Sequence, residues 1–281
     1  MRTVTMSDQE LPAIGQGTWY LGEGRAPRDQ EIAALRAGVD AGMTLVDTAE
    51  MYGDGAAEQL VAEALGSVRD ELFIVDKVLP SHASREGIIG ACQGSLERLG
   101  TDHIDLYLLH WRVSQVRFDE VIEGMDDLMR EGSVGSWGVS NLDTADISEL
   151  LGETGGPGCA TDQVLYNLIR RGPELELFPL LAEHGIPVMA YSPIEQARLL
   201  QPGPGLDALE RVAQGHGVSP AQVALAWTVR SGDVLAIPRT GSAEHAAANA
   251  AAGDLVLGEQ DLAELEAAFP APETPIALET L

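Results

Sequence analysis

The stretch LVDTAEMYGDG, residues 45–55, runs on into AAEQLVAEALG and then, after a short polar break, into LFIVDKV, residues 72–78. Its start reads as a buried strand that ends on a carboxylate, Asp47, and opens into a glycine-rich loop carrying Tyr52. The middle run has helical spacing, and LFIVDKV reads as a second buried strand, with Lys77 near its end. Apolar strands separated by a helix imply parallel neighbours covered on both faces.

The same alternation extends in both directions. HIDLYLLHW, GSWGVSN, TDQVLYN, PVMAYSPI and VLAIPRT read as strands. RDQEIAALRAGVDAG, REGIIGACQGSLERLG, FDEVIEGMDDLMREG, ADISELLGE and LFPLLAEHG read as the helices among them. With LPAIGQGTW in front the count is roughly eight βα units, which predicts an α/β chain folded as a (β/α)8 TIM barrel. A single domain over residues 1–281 is expected, with a doubly wound open sheet as the competing architecture. Two proline-bearing segments, about 196–206 and the tail at about 270–281, are expected as a loop insertion and a short coil. Between them two helices should meet at Gly217, with Ser219 capping the second ahead of Pro220.

Composition excludes several function classes. Lys plus Arg total 17 against 44 Asp plus Glu, a net charge of −27, so the field of the molecule repels nucleic acid and anionic membranes. No run reaches membrane-spanning length. Two cysteines, Cys92 and Cys159, and a polar N-terminus without a signal core point to a reducing cytoplasm. The G-x-G-x-x-G nucleotide fingerprint is absent.

In a barrel of this kind chemistry sits where strands end. Asp47, Lys77 and His110 close three successive strands, and Tyr52 lies in the loop after the first of them. A buried carboxylate needs a partner, and Lys77 can supply it. The ammonium should also favour the phenolate and lower the Tyr52 pKa, while Asp47 keeps Lys77 charged. His110 could then donate to a substrate oxygen. A Schiff-base role for Lys77 is a rival reading. A metal-dependent hydrolase is a weaker one, because no His-x-His pair ends a strand, and the site is expected to be metal-free.

The motifs GTW (17–19), VDTAEMYG (46–53), DK (76–77), LYLLHW (106–111), WGVSN (137–141), QVLYN (163–167), AYSP (190–193) and IPRTGSAEHAAAN (237–249) together resemble the aldo-keto reductase family. The likeness is strongest to bacterial methylglyoxal reductases and looser to diketogluconate reductases. It implies a cytoplasmic, monomeric oxidoreductase that binds NADP(H) without a Rossmann domain and reduces small aldehydes and α-dicarbonyls. Asp47, Tyr52, Lys77 and His110 match the catalytic tetrad, with Tyr52 as general acid. Ser140, Asn141 and Gln163 match contacts to the nicotinamide carboxamide, and Tyr191 the aromatic beneath the ring. Gly17, Thr18 and Ser192 complete that end of the cofactor site. A cofactor-holding sensor with little turnover is the alternative the same resemblance allows.

At the phosphate end the chain departs from the family pattern. Arg239, Thr240, His245 and Ala248 stand where Lys, Ser, Arg and Glu are usual, and Asn249 alone matches outright. Backbone N–H groups entering the helix after Thr240 could hold a phosphate. NADPH is expected to be preferred, with weaker discrimination against NADH. Trp19, Trp111 and Met51 are expected to line a substrate pocket left open and shallow by the short tail. Trp137 and Trp227 read as packing.

Overall fold

The computed structural model describes residues 1–281. Chain entry is a hairpin of β1 (Thr3–Met6) and β2 (Gln9–Pro12), antiparallel through a turn at Ser7 and Asp8. Eight parallel strands follow in sequential order: β3 (Gln16–Gly17), β4 (Leu45–Asp47), β5 (Phe73–Val78), β6 (Ile104–Leu109), β7 (Val134–Ser140), β8 (Asp162–Leu165), β9 (Val188–Tyr191) and β10 (Val234–Ala236). The sheet closes on itself where Ile14 bridges Ala236, with Gly15 N–H donating to Ala236 O at 2.8 Å. It is therefore a (β/α)8 barrel and not an open sheet. Gly17 sits on this seam, and a Cβ there would lie 2.8 Å from the Ile237 carbonyl oxygen, so a side chain would pry the first and last strands apart.

Helices α1 (Arg28–Asp40), α2 (Ala56–Leu65), α3 (Arg85–Leu99), α4 (Phe118–Glu131), α5 (Thr144–Gly152) and α6 (Leu177–Glu183) each follow one strand. Two helices, α7 (Pro204–His216) and α8 (Pro220–Thr228), follow β9, and α9 (Ala243–Ala252) follows β10. One hydrophobic cluster runs from Val4 to Phe269 and includes Trp137 and Trp227, both packed inside. Ser219 caps α8 through a reciprocal box with Gln222, and Gly217 ends α7 in the left-handed region.

Three features differ from the sequence expectation. LPAIGQGTW is not one strand: Leu11 and Pro12 belong to the hairpin, and only Gln16–Gly17 joins the barrel. α7 begins at Pro204, within the segment expected as a loop, because proline at the first helical position gives up no needed donor. A tenth helix, α10 (Glu259–Ala268), packs on α7, its first turn held by Asp261 accepting from Gly258 N–H.

Candidate active site

Register along the sheet lines up the polar strand ends on one rim. Gly17 stands beside Asp47, Lys77 beside Leu108, Ser140 beside Gln163, and Leu165 beside Tyr191. Side chains alternate across the pleat, so Asp76 and Lys77 face opposite sides of β5. Lys77 is the only lysine in the chain and is fully buried. Its Nζ lies 2.8 Å from Asp47 Oδ1 and donates to the Thr48 carbonyl at 2.7 Å and to the Tyr52 phenol oxygen at 3.1 Å. Gln163 Nε2 donates to the same Asp47 oxygen at 2.7 Å. The opening stretch thus finds its partner on the next strand.

The loop that carries Tyr52 is fixed at both ends. Tyr52 N–H donates to Ala49 O at 3.0 Å, and Glu50 accepts from Leu79 N–H at 2.6 Å, bolting the loop to the end of β5. The Tyr52 ring meets His110 edge-on at 5.7 Å between centroids, with Trp19 tilted against it at 6.4 Å. Trp111 stands edge-on to His110 at 4.9 Å.

Burial decides the protonation states. It pushes the Tyr52 phenol up to about 12, more than the Lys77 cation draws it down. The expectation of a lowered Tyr52 pKa is therefore reversed, because desolvation outweighs one cation. Burial works against the Lys77 ammonium, but Asp47 and the phenol oxygen overcome it and leave Lys77 above the ordinary lysine range. Burial, helped by the Lys77 charge, drops His110 to about 2, so the imidazole is neutral, and its Nδ1 is buried without a partner.

A groove of about 1340 Å³ opens over this rim. Tyr52, His110, Trp19, Trp111 and Met51 line one end, and Arg239, Thr240, His245, Ala248 and Asn249 the other. Gly17, Ser140, Asn141, Gln163, Tyr191 and Ser192 lie along it. Asn141 accepts from the Tyr191 phenol at 2.8 Å and donates to the His110 carbonyl at 3.2 Å, and both Asn141 and Ser192 hold left-handed backbone where their strands end. Thr18 is the exception among the expected residues. It is buried, donates its hydroxyl to Asp47 O at 3.0 Å, and does not line the groove.

At the far end Arg239 makes neither an ion pair nor a hydrogen bond with the protein. Every other arginine holds a carboxylate or a backbone carbonyl. The sequence did not single out Tyr20 and Arg25 at the mouth, where Tyr20 stacks on Trp19 at 4.4 Å and Arg25 covers Tyr20 at 3.6 Å. Nor did it place Thr280 and Leu281 against the groove, where the tail lies along a rim expected to be open. Adjacency to GTW was a signal for the first pair; the tail carried none. No group of three or more His, Cys, Asp or Glu is placed to hold a metal, and no helix is long and apolar enough to cross a membrane.

The family model described as the aldo/keto reductase family matches residues 13–269. Methylglyoxal reductase YeaE of Escherichia coli is 48% identical over 273 residues, covering 97% of this chain and 96% of that protein. A crystal structure of an aldo/keto reductase from Klebsiella pneumoniae in complex with NADP and acetate superposes with a TM-score of 0.96 at 47% identity, covering 100% of this chain and 99% of the other. The thermostable aldo-keto reductase Tm1743, solved with the inhibitor epalrestat, superposes at 0.89 with 33% identity, covering 95% of this chain and 100% of that one. A match across nearly the whole chain, on a closed barrel whose rim carries the motif residues, makes this protein a member of the aldo/keto reductase family.

Proposed function

We propose that the protein is an NADPH-dependent reductase of small aldehydes and ketones, with α-dicarbonyls of the methylglyoxal type as its preferred class. The observation that carries the reading is the chain Asp47–Lys77–Tyr52, with spacings of 2.8 and 3.1 Å, ending in a phenol that lines a groove of about 1340 Å³. The likeness to a methylglyoxal reductase and to a structure holding NADP supports the substrate and cofactor assignments.

The residues present fit the cofactor. Arg239 is a free cation beside Thr240 and the N-terminus of α9, a setting that attracts phosphate. Ser140, Asn141 and Gln163 offer amide and hydroxyl groups at the other end, with the Tyr191 ring beside them. Bound NADPH would supply the hydride for the carbonyl carbon.

Tyr52 would give its phenolic proton to the carbonyl oxygen as negative charge grows there, and Lys77 would stabilise the phenolate left behind. Asp47 and Gln163 hold that ammonium in place. His110, neutral, carries one N–H to orient the carbonyl oxygen without competing as an acid. The phenolate then regains a proton from solvent. A Schiff base at Lys77 would need the neutral amine, which its carboxylate partner disfavours. Two free, buried cysteines suit a reducing cytoplasm, and the reading keeps the monomer that the family resemblance implies.

The test is loss of reduced-nicotinamide absorbance with methylglyoxal, on wild type and Tyr52→Phe. Turnover that falls by at least about a thousandfold while NADPH still binds supports Tyr52 as the acid. Undiminished turnover in the variant removes it from that role.

A further inference from the structure

Two walls of the groove are tied to one side chain. The first wall is the segment from Ser192 to Leu200 that follows β9, of which Ile194, Gln196, Ala197 and Leu200 face the groove. Its backbone is strained: Ser192, Glu195, Gln196 and Ala197 all have φ between 49° and 66°, a region unfavourable for residues with a Cβ. Glu195 holds this shape from inside. Fully buried, it accepts from Arg170 at 2.7 and 3.0 Å and from Arg198 at 2.7 Å on one oxygen, and from Asn167 at 2.7 Å on the other. Asn167 also reaches the Ser192 carbonyl at 3.0 Å.

The second wall is the tail. Leu278 packs on the core, Ile276 lies over Gly172, and the Leu281 backbone N–H faces the Tyr191 phenol oxygen beside Asn141. Between these anchors Glu279 forms an ion pair with Nη1 of Arg170. One guanidinium therefore spends Nε and Nη2 on the strained segment and Nη1 on the tail. A planar fork of fixed geometry transmits a shift at one carboxylate to the other.

We propose that Arg170 is a positioning residue that joins the cofactor-side wall to the tail, so that the fit of NADPH and the fit of the carbonyl substrate are set together. The proposal rests on the NADPH-dependent reading given above. Arg170 touches neither ligand and acts through Glu195 and Glu279. The strained segment explains why a link is needed, since a backbone held in left-handed conformations keeps its shape only while its anchors persist. Removing Arg170 leaves Glu195 with Arg198 and Asn167, so the buried charge stays compensated and the fold survives.

The test uses the full chain with NADPH affinity read by fluorescence titration and the KM for methylglyoxal read by turnover, in wild type, Glu279→Ala, Arg170→Met and the double variant. Glu279 is 38% exposed, and its loss should not unfold the protein. The expected result is an NADPH Kd raised about threefold in Glu279→Ala, although that residue belongs to the tail, with no further rise when Glu279→Ala is added to Arg170→Met. Arg170→Lys, which keeps the charge and loses the fork, should recover part of the affinity. An unchanged NADPH Kd in Glu279→Ala, or an effect that persists in full without Arg170, would overturn the coupling while leaving the reductase reading intact. A wild-type protein that fails to bind NADPH would overturn both.

Discussion

Replacing Lys77 by methionine tests the electrostatic core of the site, because it keeps the volume of the side chain and removes only its charge. Lys77 Nζ stands 3.1 Å from the Tyr52 phenol oxygen. At an effective dielectric of about 20, that spacing gives about 5 kcal/mol between an ammonium and a full phenolate. A proton roughly half transferred in the transition state would feel about half of this, which corresponds to a loss of about a hundredfold in kcat. Stability should fall as well, by about 3–5 kcal/mol, since Asp47 is left buried with Gln163 as its remaining side-chain partner. The two losses can be separated. Lys77→Met with Asp47→Asn removes the orphaned carboxylate and should restore most of the thermal midpoint without restoring kcat. The assay is the kcat for methylglyoxal reduction alongside thermal melts of both variants. A single variant with kcat within about tenfold of wild type would refute the assignment of Lys77 as the group that stabilises the phenolate.

The remaining predictions concern protons and phosphate. With Tyr52 pushed up to about 12 and His110 down to about 2, neither group changes charge near neutrality. With Tyr52 as the proposed acid, reduction needs the phenol protonated, so kcat/KM for reduction should be flat from about pH 6 to about pH 9, and a limb near neutrality that vanishes in His110→Gln would contradict the His110 assignment. Linkage adds a stability effect: His110 binds a proton in the unfolded chain below the ordinary histidine value of 6.5 but not in the fold, so stability should decline as pH falls through 6.5, by about 1.4 kcal/mol per unit, and His110→Gln should lessen that decline in melts. Arg239→Ala should weaken NADPH about tenfold and NADH much less in fluorescence titrations, and equal losses for both would place Arg239 away from the ribose phosphate.

Much of the barrel was legible because its strands are buried on both faces and so appear as unbroken Val, Ile and Leu runs such as LFIVDKV and HIDLYLLHW. The hairpin was not, because strands of four residues with half their side chains exposed leave too short an alternation to stand out. The cluster on the rim was legible because Asp47, Lys77 and His110 stand at or near the ends of apolar runs and Tyr52 follows in the loop after the first. The direction of the Tyr52 shift was not, because it depends on how completely neighbouring chain covers the phenol, and sequence shows the cation but not the depth of burial. The path of the tail was hidden for a related reason: PAPETPIALETL has no periodic pattern, and what holds it are contacts to Gly172 and Arg170, about a hundred residues earlier.

A solitary, sealed lysine has a consequence for handling the molecule. Reagents that seek primary amines meet no side chain they can reach, since the only one is buried under Tyr52 and paired with Asp47. Acylation of Lys77 should therefore report unfolding: the folded barrel keeps its one lysine unmodified, and that amine reacts only when the barrel opens.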